Sequence, residues 1–204
     1  MARTPIHPGQ IDWSGENPGM YLKDSADGPY VTLVSFFRVI CSPHGKGHAA
    51  FILQDPMGTG RDAARPNLCI TDNEPLAAYV RDGFVAKFGS FRDAKGLSGC
   101  RMVPGWDFMA GGDARTSHVE WFRSAVGQVC LTWRDLSKPF LVELDRERSA
   151  TGAHEMISLF VDARAVEATI NGRTVAGKPF PREFAGRKDS STAFLAFSET
   201  WVKA

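Results

Sequence analysis

The segment Ser117–Arg134, SHVEWFRSAVGQVCLTWR, has the pattern of two β-strands joined by a tight turn. Each half is rich in aromatic and β-branched residues, which favour strands. The residues Ala125-Val-Gly127 lie between the halves and have a suitable length for a hairpin loop. The segment therefore predicts an antiparallel β-hairpin.

Similar strand patterns extend on both sides of this hairpin. In residues 154–163, Ile157, Leu159 and Val161 alternate with the side chains of the opposite face. Asn171-Gly172 separates two shorter runs and is the strongest short signal for a hairpin turn. The predicted strands cover residues 30–41, 48–54, 118–124, 128–134, 139–145, 154–163, 166–170, 173–175 and 190–202.

One segment has a helical pattern instead. In Thr71-Asp-Asn-Glu-Pro75, Asp72 or Asn73 can cap a helix, and Pro75 is tolerated in its first turn. We therefore predict one helical insertion at about residues 72–89. Apolar residues follow this start at helical spacing, namely Leu76, Tyr79, Val80, Phe84 and Phe88.

Two other segments show little periodicity. Residues 1–29 are rich in Pro, Gly, Asp and Ser, and we expect an irregular wrap over the surface. Residues 92–116 are rich in glycine, and we expect a long loop. Because long loops within a domain are usually functional or mobile, this one is a candidate lid.

These elements predict a single, mainly β domain over residues 1–204. Strands and helices do not alternate regularly, so the sheet is expected to be antiparallel, as a barrel or a two-sheet sandwich. The number of strands and the aromatic content resemble the general plan of calycin-type barrels. This is a resemblance of fold, and it implies no particular activity.

Composition narrows the classes of function. The net charge of +1 lacks the basic excess of nucleic-acid-binding proteins. No apolar stretch reaches the roughly 18 residues that a membrane-spanning helix needs. Residues 1–10 lack the apolar core of a signal peptide, and the cysteines form no CxxC pair. We therefore expect a cytoplasmic protein with reduced cysteines that binds neither nucleic acid nor membrane.

The chain also lacks the motifs of several enzyme classes. It has no Walker A sequence, no GxGxxG after a strand and no GxSxG turn, so no cofactor is expected. His154-Glu-Met-Ile-Ser158 misses the zincin motif, because Ser158 stands where a second histidine is required. A metal site that combines His44 and His48 with His118 is a weaker alternative.

Glu199 is the first candidate for chemistry. In the segment Phe194–Val202, FLAFSETWV, it alternates on one face with Leu195, Phe197 and Trp201. If this face is buried, the pKa of the carboxyl rises and Glu199 can act as a general acid or base. If the opposite face forms the core, Glu199 is solvated.

His118 and Glu120 are the second candidate, because they share one strand face and a His–carboxylate pair suits proton transfer. His154 is a further candidate. An acid–base role requires these residues to converge with Glu199 in one cavity. A separate set of basic residues can bind an anionic ligand group or an acidic partner, or remain solvated, namely Arg173, Lys178, Arg182, Arg187 and Lys188.

We expect a small-molecule site inside the barrel or between the sheets. The favoured function is cofactor-independent acid–base catalysis by an isomerase, lyase or cyclase on a largely apolar metabolite. A ligand carrier with the same pocket and a structural or subunit-interaction module are the alternatives, and a homodimer is left open. The expected lining residues are Phe36, Trp106, Trp121, Trp133, Phe160, Phe197 and Trp201.

Overall fold

The protein is built mainly from strands, and the computed structural model describes residues 9–60 and 65–203. Two short 3-10 turns at Val85–Lys87 and Lys95–Leu97 follow its helix. The other elements are β1 (Gln10–Glu16), β2 (Gly19–Lys23), β3 (Tyr30–Cys41), β4 (Gly47–Leu53), β5 (Leu68–Thr71), α1 (Glu74–Gly83), β6 (Arg101–Gly112), β7 (Ser117–Ser124), β8 (Gly127–Leu136), β9 (Phe140–Leu144), β10 (His154–Ile170), β11 (Arg173–Thr174), β12 (Pro181–Phe184), β13 (Arg187–Ser191) and β14 (Ala193–Lys203).

Nine strands close into a barrel, in the order β2-β3-β4-β5-β6-β7-β8-β10-β14 and back to β2. The predicted mainly β fold with one helical insertion is confirmed, and it is a barrel rather than a sandwich. One neighbouring pair, β5 and β6, is parallel. The nine strands and the parallel pair distinguish this ring from the eight-stranded up-and-down barrels of the calycin type.

The helical insertion is the connection that makes this parallel pair. Parallel neighbours need a crossover of a dozen or more residues, and α1 with the two 3-10 turns supplies it between β5 and β6. Asn73 caps α1, because its side-chain oxygen accepts from the backbone N–H of Leu76 at 3.0 Å. The buried face of α1 consists of Leu76, Ala77 and Val80.

Residues 9–29 differ from the irregular wrap that we expected. β1 pairs with β14 on one side and with β3 on the other, and β2 belongs to the ring. Glycines at positions 9, 15 and 19 obscure the strand pattern in the sequence. At Gly15 the chains approach so closely that a side chain would collide with the carbonyl oxygen of Arg38. Residues 1–8 of the predicted wrap lie outside the described residues.

Residues 92–116 also differ from the expected loop, because Arg101–Gly112 within them form the strand β6. This strand pairs with β5 and with β7. Its residues are largely exposed, so the sequence lacks the alternation of apolar and polar residues that marks a half-buried strand. The prediction of a lid rested on one long irregular loop at residues 92–116. The structure has a strand within this segment instead.

The core consists of two clusters on opposite sides of the barrel wall. One cluster receives apolar side chains from all nine ring strands, which only the interior of a barrel allows. Phe36, Phe122 and Trp133 are its largest members and fill the interior. The second cluster lies outside the wall, between the barrel and α1 with the segments that follow it.

Gly83 and Gly172 both face open space, so an added methyl group meets no neighbour at either position. A change in stability on substitution by alanine therefore reports backbone conformation and not packing. Gly172 has a φ of 73° in the turn between β10 and β11, so we expect Gly172→Ala to lower the free energy of unfolding by about 1–2 kcal/mol. Gly83 is the last residue of α1 and has no positive φ. We expect Gly83→Ala to raise the free energy of unfolding by about 0.5–1 kcal/mol, because alanine reduces the conformational entropy of the unfolded chain. Urea denaturation of both variants measures the effects. Changes of the same sign would contradict this reading.

Candidate functional site

The side chain of Glu199 leaves the barrel interior because β14 contains a β-bulge. The pairing of β14 with β10 shifts register next to Ser198, whose φ is 50°. An extra residue in one strand reverses the alternation of side chains beyond it. Leu195 therefore packs inside the barrel, whereas Glu199 and Trp201 lie on the outer face. The prediction that Leu195, Phe197, Glu199 and Trp201 share one face is wrong.

On this outer side Glu199 lines a cavity of about 370 Å³, which we call the Glu199 pocket. The barrel wall contributes Tyr21, Phe160 and Phe194 to one side of the pocket. The opposite side comes from residues 88–90, β9, the segment after β9 and β12. A volume of this size lies in the range of roughly 300–1,000 Å³ that is typical of small-molecule sites.

Glu199 presents one of its carboxyl oxygens to this pocket without a partner. Oε1 accepts from the indole N–H of Trp201 at 2.7 Å and from the amide of Asn17 at 3.5 Å. Within residues 9–60 and 65–203, no group donates a hydrogen bond to Oε2. The side chain is 3% exposed, and burial raises its pKa to about 7 although both hydrogen bonds oppose the rise. Oε2 is therefore the oxygen that can carry or accept a proton.

Neighbouring polar groups fix this arrangement. Ser35 Oγ donates to Asn17 Oδ1 at 2.8 Å, which directs the amide N–H of Asn17 towards Glu199. Tyr21 lines the pocket from β2, and burial raises the pKa of its hydroxyl well above the usual range. Tyr21 is therefore a neutral phenol over the whole physiological pH range.

His118 and Glu120 lie inside the barrel, where they form a separate polar network. His118 Nε2–H donates to Glu120 Oε1 at 3.0 Å, as their spacing on one strand face predicts. Arg38 from β3 donates to the other oxygen, Glu120 Oε2, and forms an ion pair with it. Glu120 is fully buried, so these two donors replace the hydrogen bonds that water would give to its carboxylate.

His48 extends this network towards the surface. Arg38 can only donate, so His48 Nε2, 3.1 Å from Arg38 Nη1, must accept. His48 Nδ1 then carries the proton and donates it to Asp72 Oδ2 at 2.7 Å. Both ring nitrogens of His48 therefore take part in hydrogen bonds, one with Arg38 and one with Asp72. No lone pair of His48 remains for a metal ion.

His154 packs against the outer cluster, with its ring centre 5.1 Å from that of Phe84. Its Nε2 is 2.7 Å from Asp12 Oδ2, and its Nδ1 is 2.9 Å from Thr151 Oγ1. Its ring contacts the edge of Trp201, which itself lines the Glu199 pocket. Both ring nitrogens therefore have protein partners, and His154 supports the wall of the pocket from behind.

The structure thus separates the four polar residues that we expected to converge, so the acid–base centre that combines them is not formed, and Glu199 must be considered by itself. His118 and Glu120 are together inside the barrel, Glu199 is outside it, and His154 stands behind Trp201. Of the expected aromatic lining, Phe160 and Trp201 line the pocket. The others lie elsewhere: Phe36 and Trp133 fill the barrel, Phe197 packs against His118, and Trp106 and Trp121 lie on the outside of the barrel.

Several residues of these sites were not singled out from the sequence. Asn17 and Tyr21 lie in a segment that we read as irregular, and Arg38 lies in an apolar strand. Arg38 had one usable signal, since a lone charge within a run of buried residues usually has a buried partner. Asn17 precedes Pro18 in a short connection and gives no comparable signal.

Among the described residues, no group of three or more His, Cys, Asp and Glu side chains is placed to hold a metal ion. His44 contacts the ring of Tyr79 rather than His118. In the part of the chain that the structure describes, no helix has the length and apolar character needed to span a bilayer.

The fold and the pocket together define a mainly β protein with a closed barrel and a cavity on the outside of its wall. No family model matches the chain, and neither a curated protein nor a solved structure matches it. The site must therefore be interpreted from its own chemistry.

Proposed function

We propose that the Glu199 pocket binds a largely apolar small molecule and that Glu199 exchanges a proton with it. The observation that carries this proposal is the asymmetric carboxyl of Glu199. Its Oε1 is held by Trp201 and Asn17, while Oε2 has no hydrogen-bond donor among the described residues. The aromatic walls of the pocket favour an apolar ligand.

The proton exchange follows from this geometry. A pKa of about 7 means that both forms of Glu199 are populated near neutral pH, which is the most effective condition for a general acid or base. As a base, Oε2 takes a proton from the ligand, and Trp201 and Asn17 keep the carboxyl oriented. This chemistry suits an isomerase or a lyase, and it requires no cofactor.

A reactive probe tests this base directly. The ring opening of 5-nitrobenzisoxazole needs only a base that removes the proton from C3, whereupon the N–O bond breaks and 2-cyano-4-nitrophenolate forms. We expect the protein to accelerate this reaction, with a rate that rises as the pH rises through about 7. Glu199→Gln should lower the rate by about 100-fold or more, measured from the absorbance of the phenolate.

Matched variants locate the reaction. Ala150 lines the pocket and Ala153 is exposed in the same loop. Ala150→Trp should therefore abolish both the reaction and the binding of naphthalene-2-carboxamide seen by saturation-transfer NMR, whereas Ala153→Trp should preserve them. Binding without any acceleration would identify a carrier, and the absence of both would refute the site.

A further inference from the structure

Arg182 has an unusual position in the wall of the Glu199 pocket. It extends from β12, and its guanidinium carbon lies 4.6 Å from the ring centre of Phe184, 4.8 Å from that of Phe194 and 5.5 Å from that of Tyr21. These aromatic rings surround the flat cation. Stacking of this kind leaves the edge of the guanidinium free for hydrogen bonds.

The charge of Arg182 has no carboxylate partner among the described residues. Its Nε–H is buried without an acceptor, and no described group accepts a hydrogen bond from its two Nη atoms. The buried acid Asp162 acts on the charge of Arg182 through space, but its Oδ1 accepts hydrogen bonds from Ser190 Oγ and from the backbone N–H of Ser191. Because burying a charge without a partner is costly, burial lowers the pKa of Arg182.

We propose that Arg182 binds the carboxylate of the ligand, so that the Glu199 pocket takes apolar monocarboxylic acids. The inference rests on the proposed function and assigns its ligand class. The Nη groups of Arg182 present parallel N–H donors, which match the two oxygens of a carboxylate. The apolar body of the acid then extends along the aromatic wall towards Glu199, which lines the same cavity.

The charges around the pocket favour a monoanion over a phosphate. Among the described residues that line the pocket, Arg182 is the single cation, and Glu183 and Glu199 add carboxyl groups to the same lining. A phosphate dianion would therefore lack compensating charge. A carboxylate requires one cation, which is the number that the lining supplies.

Two probes of the same shape test this assignment. Naphthalene-2-carboxylate carries the anion, and naphthalene-2-carboxamide is its neutral counterpart. By isothermal titration calorimetry at pH 7, we expect the carboxylate to bind the protein about 10- to 100-fold more tightly than the amide. Arg182→Met keeps an apolar stem among the rings and should reduce the affinity for the carboxylate alone, to that of the amide.

A neighbouring arginine provides the control. Arg187 lies on β13 with its guanidinium carbon 4.0 Å from the ring centre of Phe140, outside the pocket lining. Arg187→Met should leave both affinities unchanged. Equal affinity of the two probes for the unmodified protein would overturn the role of Arg182 but leave the pocket in place. Equal loss of both probes in Arg182→Met would overturn it too, and binding of neither probe to the unmodified protein would refute the proposed function itself.

Discussion

Replacement of Arg38 by methionine is expected to lower the free energy of unfolding by about 3–5 kcal/mol. The reason is the position of Glu120, which is 0% exposed in the barrel interior. Arg38 supplies the ion pair to Glu120 and one hydrogen bond to His48. Without Arg38, a buried carboxylate keeps only the hydrogen bond from His118, and the lost charge interaction is not replaced by water.

A double variant distinguishes this cause from a loss of packing. Gln at position 120 can still accept from His118 but carries no charge, so Arg38→Met with Glu120→Gln should recover most of the lost stability. Glu16, which also pairs with Arg38, is partly exposed, and Glu16→Gln should cost less than about 1 kcal/mol. Urea denaturation at pH 7 measures all three variants. If the double variant is as unstable as Arg38→Met, the unpaired charge of Glu120 is not the cause of the lost stability.

Substitution of Glu199 by glutamine is expected to change how stability depends on pH. The carboxyl has an ordinary pKa of 4.5 and a pKa of about 7 in the folded protein. Between these values the folded state holds a proton that the unfolded state has released, so stability falls as the pH rises. Above about pH 7 the accumulated loss reaches about 3 kcal/mol, which the uncharged glutamine does not suffer.

The measurement compares the two proteins at several pH values. Relative to the difference at pH 4, Glu199→Gln should be more stable than the unmodified protein by up to about 3 kcal/mol at pH 8. Other titrating groups are common to both proteins and cancel in this difference. Parallel stability curves from pH 4 to pH 8 would show that Glu199 is not the buried acid that its geometry indicates.

Local signals in the sequence predicted the local parts of the structure. Asn171-Gly172 forms its turn with φ values of 51° and 73°, and Asn73 caps the helix. The spacing of His118 and Glu120 places them in contact. In each case the signal and the contact lie within a few residues of one another, so tertiary packing has little opportunity to override them.

The arrangement around Glu199 was not predictable in this way. One bulge at Ser198 changes the side of the barrel wall on which Glu199 lies. A prediction from alternating side chains assumes a regular strand and cannot foresee an inserted residue. The pocket also joins Asn17 to Arg182, which are distant in the chain and meet only through the closure of the ring. Period-two patterns identified the strands but could not assign their faces.

The location of the pocket outside the barrel has a consequence for how binding specificity can evolve. Its outer side comes from residues 88–90, β9, the segment after it and β12, none of which belongs to the nine-stranded ring. The ring is filled by its own side chains and does not depend on that side. Substitutions and insertions in the outer segments can therefore reshape the cavity for new molecules while the scaffold that holds Glu199 remains intact.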